Sequence, residues 1–431
     1  MMNETKLKSF LNDVLERIDC DEATLNYDYT NTYATRFGDN AITQNVNGER
    51  ERLTLQVALN TRHGSASTTR LDNLHVERMI RRAIVNAETA EPDSEFVSCV
   101  EPQRYPAVPQ SLFADVVKMA PNDLASDVAK VISAASAKSH TASGLFERRY
   151  GNRALANTKG AFSYHESSNV AYSLTIHGAQ GSGSESVANE SYAKIDLDSL
   201  IERAVKTAVA AQDPIDFEPD DMVVIFEPRA VRDLLIFMFW MMDARSADEG
   251  QSAFSGKLEQ RIIDERITIE TRLNDPNLPG APSGVDGLAT RAMTWLKNGV
   301  LKRLKHDRYW AIEKKTEADP NFEPIFMTGE DRTMEELIAN CKNGVLVKRL
   351  WYVRFVDTKE LSLTGMTRDG LFEIRDGKVG APLKNLRFNE SPLNFLNDVV
   401  AMSSPIRVDN GYCLPGIMSR NFTFTSKTDS V

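Results

Sequence analysis

Ala23-Thr24-Leu25-Asn26-Tyr27-Asp28-Tyr29 predicts a β-strand, because apolar and polar residues alternate in it without a break. This period of two places the apolar side chains on one face of a β-strand. A second alternating set lies downstream at Leu53, Leu55, Val57 and Leu59. The two sets predict neighbouring strands of a sheet with one buried face.

Helical patterns surround these strands. An apolar stripe over residues 7–18 predicts an amphipathic helix, and we expect further helices at about 72–90, 122–139 and 197–211. Residues 41–46 form a short candidate strand, which the Asn47-Gly48 pair is expected to end in a turn. The segment Gly178–Ser184 is predicted to be a flexible loop, since it is rich in glycine and serine and lacks the lysine of a phosphate-binding loop.

The chain is long enough for two domains, because its 431 residues exceed what one hydrophobic core usually serves. The acidic, proline-bearing segment 213–221 is the predicted boundary. We therefore predict an α+β protein with an N-terminal domain of sheet and helices (1–213). A mainly antiparallel β domain with inserted helices (222–431) follows, since Gly, Asn-Gly and Asp-Gly turn signals are dense there.

The net charge of −10 at pH 7 argues against a nucleic-acid partner, which requires a basic face. The longest apolar run is too short to span a bilayer, and the amino terminus lacks an apolar signal region. The four cysteines are widely spaced, which is typical of reduced thiols. We expect a cytoplasmic protein without membrane contact.

That longest apolar run, Leu234–Met242, contains no classical metal ligand or general base. Nine apolar residues in succession leave no polar face, so we expect a helix that is buried on all sides. A core helix is favoured, and a dimer interface is the alternative.

Several segments, in this order, resemble the TldD/PmbA family, in which PmbA is also called TldE. The matching segments are 35–46, 62–69, 152–160, 252–258, 274–280, 286–291, 296–301, 335–347 and 374–383. The most distinctive is Ser252-Ala253-Phe254-Ser255-Gly256, similar to the family's S-x-F-S-G-x-x-G, although Glu259 replaces the second glycine. The resemblance covers nearly the whole chain.

The resemblance implies a two-domain protein that dimerises around a central cavity and takes part in peptide processing. Catalytic TldD-type members carry His-Glu-x-x-x-His on the helix before the F-S-G element, together with a cysteine near the carboxyl terminus. The two histidines and the cysteine hold zinc, and the glutamate is the base. PmbA-type members lack the His-Glu-His set.

Counting back from Phe254-Ser255-Gly256 places Leu235, Ile236 and Trp240 at the His, Glu and His positions. None of these side chains can bind zinc or accept a proton. We therefore expect no catalytic residue, no metal ligand and no cofactor in this chain, with zinc only in a catalytic partner. Phe254, Ser255 and Gly256 are the candidates for peptide contact.

The other potential ligands favour ordinary roles. Cys413 lies near the position of the family's ligand cysteine, but its surroundings align better with the terminal strand of the PmbA type, so we expect a partly buried structural thiol. His165-Glu166 lacks a second histidine at helical spacing and is interpreted as a surface pair in a hairpin. The remaining histidines of interest are expected in surface or capping roles: His63, His75, His140 and His306.

Three functional hypotheses remain. The leading one is a zinc-free, PmbA/TldE-like subunit that pairs with a TldD-type catalytic chain as a heterodimer and helps to process unfolded peptides. The second is a stand-alone homodimer that binds peptides or small molecules without hydrolysis. The third, an enzyme with another mechanism, would need an acid/base pair that the spacing of the carboxylates does not reveal.

Overall fold

The computed structural model describes residues 1–217, 222–420 and 422–427. It is a mixed α and β protein with four sheets, which confirms the predicted α+β class. The described helices are α1 (Glu4–Leu15), α2 (Asn73–Thr89), α3 (Ala114–Lys118), α4 (Pro121–Ser136), α5 (Leu197–Ala210), α6 (Pro228–Met241), α7 (Ala244–Asp248), α8 (Arg308–Lys314), α9 (Met334–Ala339) and α10 (Pro392–Asn397). A 3-10 turn covers Tyr192–Lys194.

The first sheet is antiparallel throughout and contains long strands in the order β3-β2-β1-β4-β5-β6. Its strands are β1 (Glu22–Gly38), β2 (Ala41–Leu59), β3 (Arg62–Thr68), β4 (Thr141–Asn157), β5 (Phe162–His177) and β6 (Ser182–Asn189). The alternating residues Leu25 and Tyr27 are buried on one face, as their period predicts.

Helices α1, α2, α4 and α5 all lie on this same face. Leu25 and Tyr27 pack in the cluster that α1 and α2 complete, whereas Phe37, farther along β1, packs in the cluster of α4 and α5. All three residues are odd-numbered along β1 and so point to one side of the sheet. The opposite face, here called the outer face, meets the second half of the chain at β5, where Ser163 Oγ and Ser283 Oγ lie 2.5 Å apart, and is exposed at β2.

The second half contains three smaller sheets. One has the order β10-β9-β8-β11-β20-β19, another the order β16-β15-β12-β7-β21-β18 and the last the order β13-β14-β17-β22. The strands are β7 (Val223–Phe226), β8 (Ile269–Thr271), β9 (Met293–Lys297), β10 (Val300–Leu301), β11 (Ile325–Met327), β12 (Asn343–Val347), β13 (Leu350–Asp357), β14 (Ser362–Thr367), β15 (Leu371–Arg375), β16 (Lys378–Pro382), β17 (Leu386–Glu390), β18 (Val399–Met402), β19 (Ile406–Val408), β20 (Tyr412–Leu414), β21 (Ile417–Ser419) and β22 (Phe424–Lys427). Most pairs are antiparallel, but β7 pairs with β12, and β11 with β20, in parallel.

The predicted turn at Asn47-Gly48 is wrong. Both residues lie inside β2, where Asn47 pairs with Tyr33 and Gly48 with Thr32. The chain reverses instead at Asp39 and Asn40, whose φ angles of 49° and 59° are the left-handed pair that a two-residue hairpin turn requires. Since aspartate and asparagine tolerate this conformation, the turn needs no glycine.

The prediction of a flexible loop over Gly178–Ser184 is also wrong in its second part. Ser182, Gly183 and Ser184 begin strand β6 and are buried under α5. A Cβ at Gly183 would lie 2.3 Å from the Ala204 carbonyl oxygen, so glycine is needed there for close packing of helix on strand. Ser182 Oγ donates a 2.6 Å hydrogen bond to the carboxylate of Asp369 in the second half.

The predicted domain limits, 1–213 and 222–431, stay a prediction, and residues 218–221, 421 and 428–431 of that scheme lie outside the described residues. Polar contacts join the two halves, among them a bidentate ion pair between Arg407 and Glu190 at 2.7 and 2.8 Å. Within the described ranges, no helix combines the length and apolarity that a membrane span requires.

Candidate functional site

Helix α6 carries the three positions at which catalytic relatives are expected to hold zinc. Pro228 begins the helix, where its missing N–H costs nothing. Leu235 is buried, Ile236 is half-buried, and Trp240 has 63% of its surface exposed. One side of the helix therefore packs in the core of the second half, and the other side reaches the surface.

The prediction that this helix is buried on all sides is wrong. Its core side is formed by Leu234, Leu235, Met238 and Phe239, while Trp240 projects outward against Phe237 (ring centroids 5.1 Å apart) and Phe355 of β13 (6.3 Å). Apolar residues on every side of a helix do not bury it where the rest of the protein leaves one side uncovered. The result is a cluster of exposed Trp240 with half-buried Phe237 and Phe355, here called the exposed aromatic cluster.

The residues at the three positions do not fit a zinc ion. Zinc in proteins is held by imidazole nitrogen, thiolate sulfur or carboxylate oxygen. Leu235 and Ile236 offer only hydrocarbon, and the indole of Trp240 donates a hydrogen bond but has no lone pair for a metal. Among the residues that the structure describes, no group of three or more His, Cys, Asp or Glu is placed to hold a metal ion.

The segment Ser252–Gly256 forms a compact turn beside the end of α6. Ser252 Oγ donates a 2.6 Å hydrogen bond to the carbonyl of Met241, and Ser255 Oγ donates one of 2.7 Å to the carbonyl of Ser252. Gly256 has a φ of 68°, a conformation that favours glycine. The hydrogen bond from Ser252 thus holds this turn against the carboxyl end of α6.

The three candidates for peptide contact differ in access. The ring of Phe254 is fully buried and packs in the core, whereas Ser255 is half-buried and Gly256 is exposed. In this structure Phe254 has a packing role, and only Ser255 and Gly256 present atoms to a ligand. Peptide contact at this turn stays a prediction.

Position 259, where the S-x-F-S-G-x-x-G pattern that this chain resembles has glycine, has a backbone conformation that favours glycine. Glu259 has a φ of 63°, in the left-handed region, and its amide donates a 2.8 Å hydrogen bond to the carbonyl of Leu301. Its carboxylate pairs with the ammonium group of Lys302 on the surface. This chain therefore holds a strained backbone where glycine would be relaxed.

Cys413 is a free thiol and is half-buried, as expected, while its structural role stays a prediction. It lies in β20 between Phe326 and Arg407 on the neighbouring strands. Burial, with a smaller contribution from Asp275, raises the pKa of this thiol above its usual value. Without a bound metal, the thiol therefore stays protonated at neutral pH.

His165-Glu166 lies in β5 of the β4–β5 hairpin, as expected, and both residues are only partly exposed. His165 is half-buried beside Arg153 on β4, at a cavity of about 360 Å³ between the outer face and residues 279–281. Burial, followed by the positive charge of Arg153, lowers the pKa of His165 to about 4. The imidazole is therefore neutral near pH 7.

The other histidines do not converge with it. His75 contacts Asp72, the N-cap residue of α2, at 2.7 Å, and His63 lies 3.4 Å from Asp93. His306 lies 3.6 Å from the buried carboxylate of Asp319, and Nε2 of His140 is buried and has no hydrogen-bond partner among the described residues. His75 thus lies at the amino end of α2 in contact with the N-cap residue, in agreement with the surface or capping role expected for it.

Sequence reasoning missed a free sheet edge on β2. Residues 53–59 of this strand pair with β3, but residues 41–52 pair with β1 alone among the described residues. Most of these residues are exposed, so one long edge with its backbone N–H and C=O groups is open. The alternation in Glu49-Arg50-Glu51-Arg52 could have signalled a strand with two differently charged faces.

Comparison with known proteins places this geometry in a family. The PmbA/TldA metallopeptidase central domain matches residues 115–212, and the PmbA/TldA metallopeptidase C-terminal domain matches residues 219–426. A relative described as a metalloprotease from Methanothermobacter thermautotrophicus is 27% identical in an alignment of 180 residues, with 38% of this chain and 38% of that protein covered. The match thus spans well under half of the relative's length.

Solved structures share the whole fold. TldE from Thermococcus kodakarensis superposes with a TM-score of 0.88 at 19% identity, over 97% of this chain and 100% of that one. A candidate modulator of a DNA gyrase from Thermotoga maritima gives 0.87 at 14% identity, over 97% and 100%. A further candidate modulator of DNA gyrase, from Bacteroides thetaiotaomicron, gives 0.86 at 17% identity, over 99% and 100%.

Two domain matches in sequence order, together with an overall fold shared along nearly its full length, lead to one conclusion: this chain belongs to the TldD/PmbA family.

Proposed function

We propose that this protein is a zinc-free, PmbA/TldE-like subunit of a metalloprotease complex, in which a TldD-type partner supplies the zinc and cleaves unfolded peptides. One observation carries the proposal: Leu235, Ile236 and Trp240 occupy the helix positions that would have to supply two zinc ligands and a base. Without those groups, activation of a zinc-bound water has no basis in this helix.

The exposed aromatic cluster supports a role at an interface. Trp240 stands on the surface next to Phe355, and aromatic side chains are enriched in the buried centres of protein interfaces. In the proposed complex this cluster lies against the partner or the wall of the shared chamber.

The free edge of β2 supports peptide binding without catalysis. An extended peptide can add a strand to such an edge, taking its affinity from backbone hydrogen bonds. Residues 41–52 offer an edge long enough for this purpose. This subunit would hold a peptide, and its partner would cut it.

Co-expression with a TldD-type chain tests the proposal. We expect a stable heteromeric complex on size-exclusion chromatography and chelator-sensitive cleavage of an unfolded peptide that requires both chains. Trp240→Glu should weaken the complex, whereas the matched control Ile312→Glu, on another exposed apolar residue (61% exposed), should leave it intact. Failure to form a complex, with proteolysis unaffected by omission of this chain, would refute the proposal.

A stand-alone homodimer that binds peptides without hydrolysis is the second candidate. The departure from the family pattern at Glu259 favours it, because a strained residue retained in place of glycine is typical of a specialised branch. A monodisperse homodimer of the chain alone, with no affinity for a TldD-type chain, would decide for this alternative.

A further inference from the structure

Strand β2 separates its charges by face. Glu51 and Glu49 point toward the helices, where their carboxylates accept 2.7 Å hydrogen bonds from the hydroxyl groups of Tyr27 and Tyr29. Arg50 and Arg52 therefore point to the outer face, and both are exposed. The acidic side chains are engaged, and the basic ones are turned to the open side.

The neighbouring strands continue this basic surface. In the register, Arg52 lies opposite Asp28, and Asp28 lies opposite Arg153 on β4. Arg36 on β1 and Arg149 on β4 occupy positions of the same face. The basic outer face is defined here by its arginines: Arg36, Arg50, Arg52, Arg149 and Arg153.

The carboxylates on the same stretch are too few to neutralise it. Over residues 28–36 of β1 and their partners on β2 and β4, the outer face has Asp28 and Glu147 as its acidic residues. Glu147 pairs with Arg149 at 3.1 Å, and no ion pair within 4.0 Å joins Arg153 to a carboxylate in the part of the chain that the structure describes. A chain with a net charge of −10 thus carries a local excess of positive charge here.

The cavity beside this face keeps part of it away from solvent. Burial lowers the pKa of the Arg153 guanidinium, which also donates a 3.2 Å hydrogen bond to the carbonyl of Ser283. Asp28 opposes this shift only in part. A cation that is desolvated without a paired carboxylate favours an anionic ligand.

We propose that the basic outer face selects acidic segments of an extended peptide bound along the free edge of β2. This inference rests on the proposed peptide-binding function and adds the class of peptide. A strand added at this edge places every second side chain opposite Arg50 and Arg52, with Cβ atoms about 4.5–5.5 Å apart. Glutamate or aspartate at those positions forms cross-strand ion pairs with the two arginines.

The same face is poorly suited to nucleic acid. Over residues 28–36 of β1 and their partners on β2 and β4, the positions that point to the outer face carry no aromatic ring on which a base could stack. Their other residues are small or aliphatic for the most part, among them Thr30, Gly48 and Gly151. An open strand edge supplies backbone hydrogen bonds to a peptide and no equivalent to a nucleotide chain.

Fluorescence anisotropy with the full chain tests this inference. Three labelled peptides alternate threonine with glutamate, glutamine or lysine, and the test variant is Arg50→Ser/Arg52→Ser. The matched control, Arg81→Ser/Arg82→Ser, removes the same charge from two exposed residues of α2 on the other side of the sheet. Thermal unfolding of each variant verifies that the fold is retained.

We expect the glutamate peptide to bind most tightly and the lysine peptide most weakly. The test variant should bind the glutamate peptide about three- to tenfold more weakly, which is the loss expected for two exposed ion pairs. Its affinity for the glutamine peptide should not change. The control should bind like the wild type. Added salt should weaken only the glutamate complex.

Equal affinities for the glutamate and glutamine peptides, or an unchanged test variant, would overturn the inference and show that the arginines only keep the edge from pairing with other chains. Both results leave the proposed subunit role standing, since complex formation with a TldD-type chain is measured separately. Tighter binding of a single-stranded oligonucleotide than of the glutamate peptide, lost in the test variant, would assign the face to nucleic acid instead.

Discussion

At the scale of single residues, Leu235 and Trp240 occupy neighbouring turns of one helix in opposite environments. Leu235→Ala should destabilise the protein by about 2–5 kcal/mol, because it opens a cavity in a packed core. Trp240→Ala should cost less than about 1 kcal/mol, since most of the indole is already in water. Urea unfolding of both variants checks the difference, and similar losses would contradict the orientation of α6.

Glu259 gives a second prediction at this scale. Glu259→Gly should stabilise the protein by about 0.5–1 kcal/mol, because glycine removes the strain of the left-handed backbone conformation. This gain outweighs two costs, which are the loss of the exposed ion pair with Lys302 and the greater conformational entropy of glycine in the unfolded chain. Glu259→Ala keeps the strain, loses the pair with Lys302, and should stabilise nothing. Equal melting temperatures for the two variants would show that the backbone at 259 is not strained.

His165 makes stability depend on pH. The unfolded chain takes up a proton on this imidazole below about pH 6.5, whereas in the folded protein its pKa is about 4. The unfolded state therefore binds more protons in this window, and stability should fall as the pH drops from about 6.5 toward 4. The melting temperature of the wild type should fall more over this range than that of His165→Asn. Parallel curves of melting temperature against pH for the two proteins would contradict a desolvated, neutral imidazole.

At the scale of elements, the hydrophobic periodicity of the sequence correctly predicted the helices and strands whose formation depends on local sequence. The patterns that indicated helices at 72–90, 122–139 and 197–211 correspond to α2, α4 and α5, and the alternating residues 23–29 lie in β1. The errors arose where tertiary contacts decide, as at Gly183, whose glycine serves helix packing and not flexibility. The exposure of Trp240 likewise depends on what the rest of the chain leaves uncovered, which no local pattern contains.

Hydrogen exchange tests the free edge of β2 as an element. Amides of β1, which is paired on both sides, should be protected along the strand, whereas alternate amides of residues 41–52 should exchange quickly. An extended peptide should protect those amides if it adds as a strand. Uniform protection of residues 41–52 in the free chain would mean that the edge is already covered.

At the scale of the whole molecule, the sequence predicted the α+β class, and the resemblance to the TldD/PmbA family is confirmed by the domain matches. Separate segments of sequence did not reveal how the halves meet, because contacts such as Arg407–Glu190 join residues far apart in the chain. The basic outer face depends in the same way on the register of three strands. Its arginines are scattered between positions 36 and 153 and become one surface only when the sheet forms.

We propose that hydrocarbon at Leu235 and Ile236, with an exposed indole at Trp240, leaves hydrolysis to a partner. The decisive experiment is zinc analysis of the purified chain after dialysis against zinc, coupled to a peptide-cleavage assay with and without a TldD-type chain. We expect the isolated chain to retain only traces of zinc and to cleave nothing, and we expect activity to appear with the partner. Stoichiometric, tightly held zinc in the isolated chain, with cleavage that a chelator abolishes, would contradict it.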